Sequence, residues 1–189
     1  MSFENDILQC LEVLHAGGLI LYPTDTIWGI GCDATNEEAV AKIYALKQRS
    51  DEKSMIVLLA DERSIIKYVA QPDLAVFDHL QQAVKPTKVI YDGAIGLAEN
   101  LVGKDGSIAI RIVQDEFCRH LVKRFQKPLV STSANISGQP SPANFSGISA
   151  EIKNGVDYIV QHRRDDNTIS VPSAIIKWNG DGSLTIIRP

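Results

Sequence analysis

"ILYPTDTIWGIGCDA", residues 20–34, decides how this chain is read. An apolar run from Ile20 to Tyr22 stops at Pro23, a residue that cannot donate to a sheet ladder. Two threonines and an aspartate follow, and Trp28 leads into the turns offered by Gly29 and Gly31. Hydroxyls, a carboxylate and glycines directly after a buried strand are how open α/β sheets build sites at strand ends.

Outward from that stretch, residues 4–16 place Ile7, Leu8, Leu11 and Leu14 on one helical face, and Gly17-Gly18 ends the helix. Residues 35–49, "TNEEAVAKIYALKQR", predict a second helix. Thr35 or Asn36 can cap it, Glu37 and Glu38 suit its positive end, and Val40, Ile43, Tyr44 and Lys47 share a face. "MIVLL" (55–59), "KVIYD" (88–92), "SIAIRIV" (107–113) and "PLVST" (128–132) read as strands, the third alternating enough to be half exposed. "SIIKYV" and "DLAVFDHLQQAV" suggest one or two helices, and "DEFCRHLVKRF" another. The tail supplies "DYIVQ", "SAIIKW" and "SLTIIR", with "GDG" turning between the last two. Strands and helices mix without a βαβ repeat, so the expected class is a single α/β domain, residues 1–189, around a mixed, twisted sheet.

Composition agrees. The chain has 189 residues, 44% hydrophobic and 22% charged, the profile of a globular domain with a real core. A net charge of −4 offers no overall basic field for nucleic-acid phosphates. Cys10, Cys32 and Cys118 are odd in number and share no metal-ligand spacing, so reduced thiols are expected and no metal ligands are assigned. The N-terminus is acidic where a secretory signal is basic, and no apolar stretch approaches the roughly 20 residues that span a bilayer. The expectation is a cytoplasmic protein.

Four polar clusters can do chemistry: Thr24, Asp25 and Thr26; Lys47, Arg49 and Lys53; "STSANISGQPS" around Gly138; and Arg111 inside an apolar strand. Singly, each has a structural reading as a turn, a helix-end charge, a plain loop or a paired arginine. Together, the cations offer donors suited to phosphate, and the serines could line a nucleotide. The P-loop pattern and the GxGxxG fingerprint are both absent.

"YPTDTIWGIGCDA", "LKQR" and "KPLVSTSANISG", in this order and spacing, resemble the YrdC/Sua5 family of threonylcarbamoyl-AMP synthases. The likeness is strongest over residues 20–60 and 127–142, with weaker support from the arginine-bearing strand, "PSAII" and "IIRP". It implies a YrdC-like sheet with a large, positively lined concave cavity. It also implies an ATP-dependent reaction of L-threonine and bicarbonate that supplies the t6A modification of tRNA. Site roles follow from the motif positions. Lys47 and Arg49 would neutralise the phosphates, while Lys53, Ser107, Ser133, Asn135, Ser141 and Arg188 would contact ATP. Thr26, Arg111, Ser131 and Ser173 would contact threonine. Magnesium would come bound to the ATP phosphates. Implied partners are separate threonylcarbamoyl-transfer proteins and a weak tRNA contact, with no membrane.

The chain departs from the family pattern in places. Ser50 stands where proline usually follows K-x-R, the W-P-G-P-T segment keeps Pro86 and Thr87, and Leu58 replaces a frequent histidine. Alternatives of the same fold are a YciO-type paralogue without synthase activity and a non-catalytic RNA-binding module.

Overall fold

A computed structural model describes residues 3–48, 55–81, 85–168, 173–179 and 182–189. Helix α1, Glu4–His15, buries Ile7, Cys10 and Leu14, while Leu8 faces solvent. The sequence placed Leu8 on the buried face. Asp6 is buried there instead, because its carboxylate accepts from Tyr158 Oη at 2.7 Å and from the backbone N–H groups of Gln161 and His162, each at 2.9 Å. A buried carboxylate with three donors is stable where an unpaired one is not.

Two strands follow α1: β1, Ile20–Tyr22, and β2, Gly29–Gly31. The sequence read "GIG" as turns; it pairs antiparallel with β1, setting Gly31 opposite Ile20 and Gly29 opposite Tyr22. A Cβ on Gly31 would stand 2.7 Å from the Tyr22 ring and 2.8 Å from the Val130 carbonyl, so only glycine lets the backbones approach this closely.

Helix α2, Glu37–Leu46, is capped by Asn36, whose side chain accepts from Ala39 N, with Glu37 and Glu38 in its first turn. Strand β3 is Ile56–Leu59. "SIIKYV" falls largely within a 3-10 turn, Glu62–Lys67, and in the next stretch α3, Val76–Gln81, is α-helical, with residues 82–84 outside the described ones. Strands β4, Thr87–Tyr91, and β5, Ile108–Ile112, precede α4, Glu116–Phe125, which Asp115 caps through Cys118 N. Then come β6, Leu129–Ser133, the short α5, Ala150–Asn154, β7, Tyr158–Ile159, and the hairpin of β8, Ala174–Trp178, with β9, Leu184–Arg188. Of its "GDG" turn, residues 180 and 181 lie outside the described residues.

The strands form one mixed sheet in the order β7-β1-β2-β6-β3-β5-β4-β8-β9. Pairs β1/β7, β3/β5 and β4/β8 are parallel, and the other five are antiparallel. Register divides the sheet into two faces. Val130, Val57, Ile110, Val89 and Ile176 are successive cross-strand partners, and all are buried in the core. One residue out of phase, Ser131, Ile56, Ala109 and Ile90 form a second row, which alternation turns to the opposite face. Helices α1 and α4 pack against each other and onto β1 and β3 respectively.

Candidate active site

The second row floors a cavity of about 320 Å³. Seven segments contribute to its lining: the turn after β1, β2, β3 with Met55 before it, β4, β5, β6 with the loop after it, and the β8/β9 hairpin. Its polar lining consists of Thr24, Thr26, Ser131, Thr132, Ser133 and Ser141, and its cations are Lys88, Arg111 and Arg188. No carboxylate lines it among the described residues. Such a donor set suits an anion.

The turn after β1 is organised by its own hydroxyls. Thr24 Oγ1 donates to the Ile27 carbonyl at 2.8 Å and accepts from Thr26 N at 3.1 Å. Its single proton is thereby committed, so the Thr24–Thr26 hydroxyl contact at 3.1 Å runs with Thr26 as donor. Thr26 Oγ1 in turn accepts from Arg111 Nη1 at 3.0 Å. Behind this turn, the Cys118 thiol donates to the Pro23 carbonyl, and burial pushes that thiol well up.

Arg111 was expected on a half-exposed strand; it is 2% exposed, at the cavity wall on β5. Its Nη2 lies 2.8 Å from Asp25 Oδ1, an ion pair without the alignment of a hydrogen bond, and its Nε is buried without a partner among the described residues. Burial raises the Asp25 carboxyl above its ordinary range, more than Arg111 lowers it.

Gly29 pairs with Ser133 on the neighbouring strand, and a Cβ there would stand 3.2 Å from Ser131 Oγ. Arg188 is steered by two donations, from Nε at 3.0 Å and Nη2 at 2.6 Å, to the Ser173 carbonyl.

The cavity thus gathers Thr26, Arg111, Ser131, Ser133, Ser141 and Arg188 from the residues named by sequence. Others are placed differently. Lys47 is 1% exposed, and its Nζ donates to the carbonyls of Ser133 and Asn135 and to Asn135 Oδ1. Asn135 holds the following turn through the Ile136 and Gln139 carbonyls. Ser107 donates its hydroxyl to Asp105 at 2.6 Å, and Ser173 is buried with its Oγ unpartnered among the described residues. Arg49, Ser50 and Lys53 lie outside the described residues. The structure adds Lys88 to the lining, whose only sequence signal is a lysine at an alternating position in "KVIYD".

Fold and site together define an α/β protein with a mixed sheet flanked by helices and an anion-suited cavity on one sheet face. The Sua5/YciO/YrdC family model, described as telomere recombination, matches residues 12–189, and the chain belongs to that family. Threonylcarbamoyl-AMP synthase of Pseudoalteromonas translucida is 30% identical over 174 residues, covering 89% of this chain and 91% of the relative. The synthase of Idiomarina loihiensis is 35% identical over 155 residues, covering 79% and 83%. Among solved structures, P. abyssi Sua5 complexed with L-threonine superposes with a TM-score of 0.85 at 20% identity, over 98% of this chain and 54% of that one. This chain therefore spans about half the length of that Sua5. Among the described residues, no helix is long and apolar enough to cross a membrane.

Proposed function

We propose that this chain is a threonylcarbamoyl-AMP synthase, a nucleotidyltransferase acting as one domain over residues 1–189 in the cytoplasm. The threonine nitrogen bonds the carbon of bicarbonate with loss of water. A carboxylate oxygen of the resulting N-carboxythreonine then attacks the ATP α-phosphorus. The bond from that phosphorus to the bridging oxygen breaks, and pyrophosphate leaves. The adenylate passes to separate transferases for tRNA t6A modification, with at most a weak tRNA contact by this chain.

One observation carries the reading: the fold brings Thr26, Arg111, Ser131, Ser133, Ser141 and Arg188, from separate motifs, around a single cavity. Relatives 30% and 35% identical over most of the chain and named for this activity support it. Attack of one anion on another needs cationic clamps more than a general base. In this reading Arg111, beside Thr26 and Ser131, takes the amino-acid carboxylate. Arg188, with Arg49 and Lys53, takes the nucleotide phosphates, which bring magnesium with them as part of the substrate. Lys47 supports the loop carrying Ser133.

The test is pyrophosphate release from ATP by the purified protein. Release that requires both L-threonine and bicarbonate, and that Arg49→Ala abolishes, is expected. ATP binding without such release would overturn the synthase reading in favour of a YciO-type paralogue.

A further inference from the structure

Arg111 meets the cavity with its guanidinium already engaged on the protein side. Thr26 takes Nη1, Asp25 stands against Nη2, and Nε is a buried donor without a partner among the described residues. Asp25 is not among the residues lining the cavity.

The Asp25 carboxylate is poorly provided for. Its side chain is 12% exposed, and neither oxygen has a hydrogen-bond donor among the described residues. Burial opposes its ionisation more strongly than Arg111 favours it. An ion pair kept for stability is expected to show the reverse balance, and buried pairs are often replaceable without loss. A carboxylate that the fold penalises, placed on the arginine of the site, points to a role in binding.

We propose that Asp25 is a positioning residue that sets the affinity of the threonine subsite. In the empty cavity it occupies the Arg111 guanidinium as an internal carboxylate, and the carboxylate of the incoming amino acid must share that guanidinium with it. This rests on the reading of Arg111 as the partner of the substrate carboxylate. Two carboxylates on one arginine repel, so Asp25 weakens ground-state binding while keeping Arg111 oriented on Thr26. The charged and titratable groups facing Asp25 are Arg111 from β5, Asp115 and Cys118 at the start of α4, and Arg163 from the segment after β7. Asp115 is itself held by Arg163 at 3.0 Å.

Calorimetric titration at pH 7.5 of L-threonine, and of L-threoninol, which lacks the carboxylate, into wild type, Asp25→Asn and Arg111→Lys tests this. The asparagine keeps the size and shape of the side chain beside Nη2 and removes the charge. Asp25→Asn is expected to melt within about 3 °C of wild type and to bind threonine about tenfold more tightly. Its threoninol affinity should stay unchanged, and Arg111→Lys should weaken threonine. A merely structural pair would instead give a lower melting temperature and unchanged or weaker threonine binding in Asp25→Asn, which overturns the proposal while leaving the synthase reading intact. Equal threonine binding by Arg111→Lys overturns both the proposal and the role given to Arg111. A wild type that binds no threonine overturns the proposal together with the synthase reading.

If Asp25→Asn does not fold, threonine affinity of wild type is followed from pH 7.5 to 5, with Asp115→Asn as control. Tightening as pH falls, retained in the control, supports the proposal. A flat profile, or tightening that the control abolishes, overturns it.

Discussion

Lys47 Nζ donates to the Asn135 carbonyl at 2.6 Å, and the Lys47 carbonyl accepts from Ser137 N at 2.8 Å. The end of α2 and the turn after β6 are thus tied in both directions by one residue. The buried ammonium also lies on the Ser133 carbonyl, so carbonyl oxygens beside an anion-suited cavity are screened by a positive charge. A lysine of the K-x-R motif expected to touch phosphate is here the support of the loop that presents Ser133.

Lys47→Met keeps the length of the side chain and deletes its donors, leaving buried carbonyls unsatisfied at about 2–3 kcal/mol. For a chain of this size the melting temperature is expected to fall by about 5–10 °C. Hydrogen exchange at the Ser137 amide should accelerate together with loss of pyrophosphate release. Lys47→Arg is not expected to restore either, because a planar fork cannot replace a compact ammonium among convergent carbonyls. Full stability in Lys47→Met would argue against the support role.

Gly31→Ala and Gly29→Ala separate fold from site. At Gly31 the added methyl meets a buried ring and a backbone carbonyl, neither of which can withdraw, so urea midpoints should report a loss of about 2–4 kcal/mol. At Gly29 the nearest atom is the Ser131 hydroxyl at 3.2 Å, which can give by a few tenths of an ångström. Gly29→Ala should therefore stay within about 1 kcal/mol of wild type while its threonine KM rises. Equal stability losses in the two variants would count against Gly29 as a position of the site rather than of the fold.

Thr26→Val is isosteric and removes one hydroxyl. Arg111 Nη1 loses its acceptor and Thr24 Oγ1 loses a donor. The expected cost is about 1–2 kcal/mol of stability and about tenfold in threonine KM, with ATP KM little changed. Steady-state kinetics with each substrate varied in turn measures the split. A proportional rise in both KM values would place the defect in the fold.

The sheet was legible where burial writes itself locally. The cores of β3, β5 and β6 are apolar or alternating runs that few other structures accommodate. Lys47 was even placed on the buried face of α2 by its spacing from Val40, Ile43 and Tyr44. What the chain does not write locally is pairing. Two of the three residues of the "GIG" strand are glycines, poor strand formers, and it is the Tyr22 ring and the Val130 carbonyl against Gly31 that make glycine the right residue. Similarly, Lys47 is 88 residues from Asn135, and Arg111 is 85 from Thr26, so motif position could name these groups without saying which of them face a ligand. Ser107 shows the limit: motif position named it, but its hydroxyl donates to an Asp105 two residues away, a local turn contact that the motif does not write.

The pH dependence of stability isolates Asp25. Its folded pKa is raised, so between its unfolded and folded values the native state binds more protons than the unfolded chain, and stability falls as pH rises through that window. The sign is opposite to that of Asp105 and Asp166, whose carboxyls are lowered, first by hydrogen bonds from the Ser107 and Thr168 side chains. Total stability mixes these contributions, but the difference between wild type and Asp25→Asn cancels those that the two proteins share. At neutral pH that difference should favour Asp25→Asn, because the variant carries no charge to be buried. It should close as pH falls and wild-type Asp25 takes up its proton. Urea titrations of both proteins from pH 7.5 to 4.5 measure it. A wild type that is the more stable at pH 7.5, and loses that advantage in acid, would show an ordinary stabilising ion pair with Arg111 and a carboxyl lowered rather than raised.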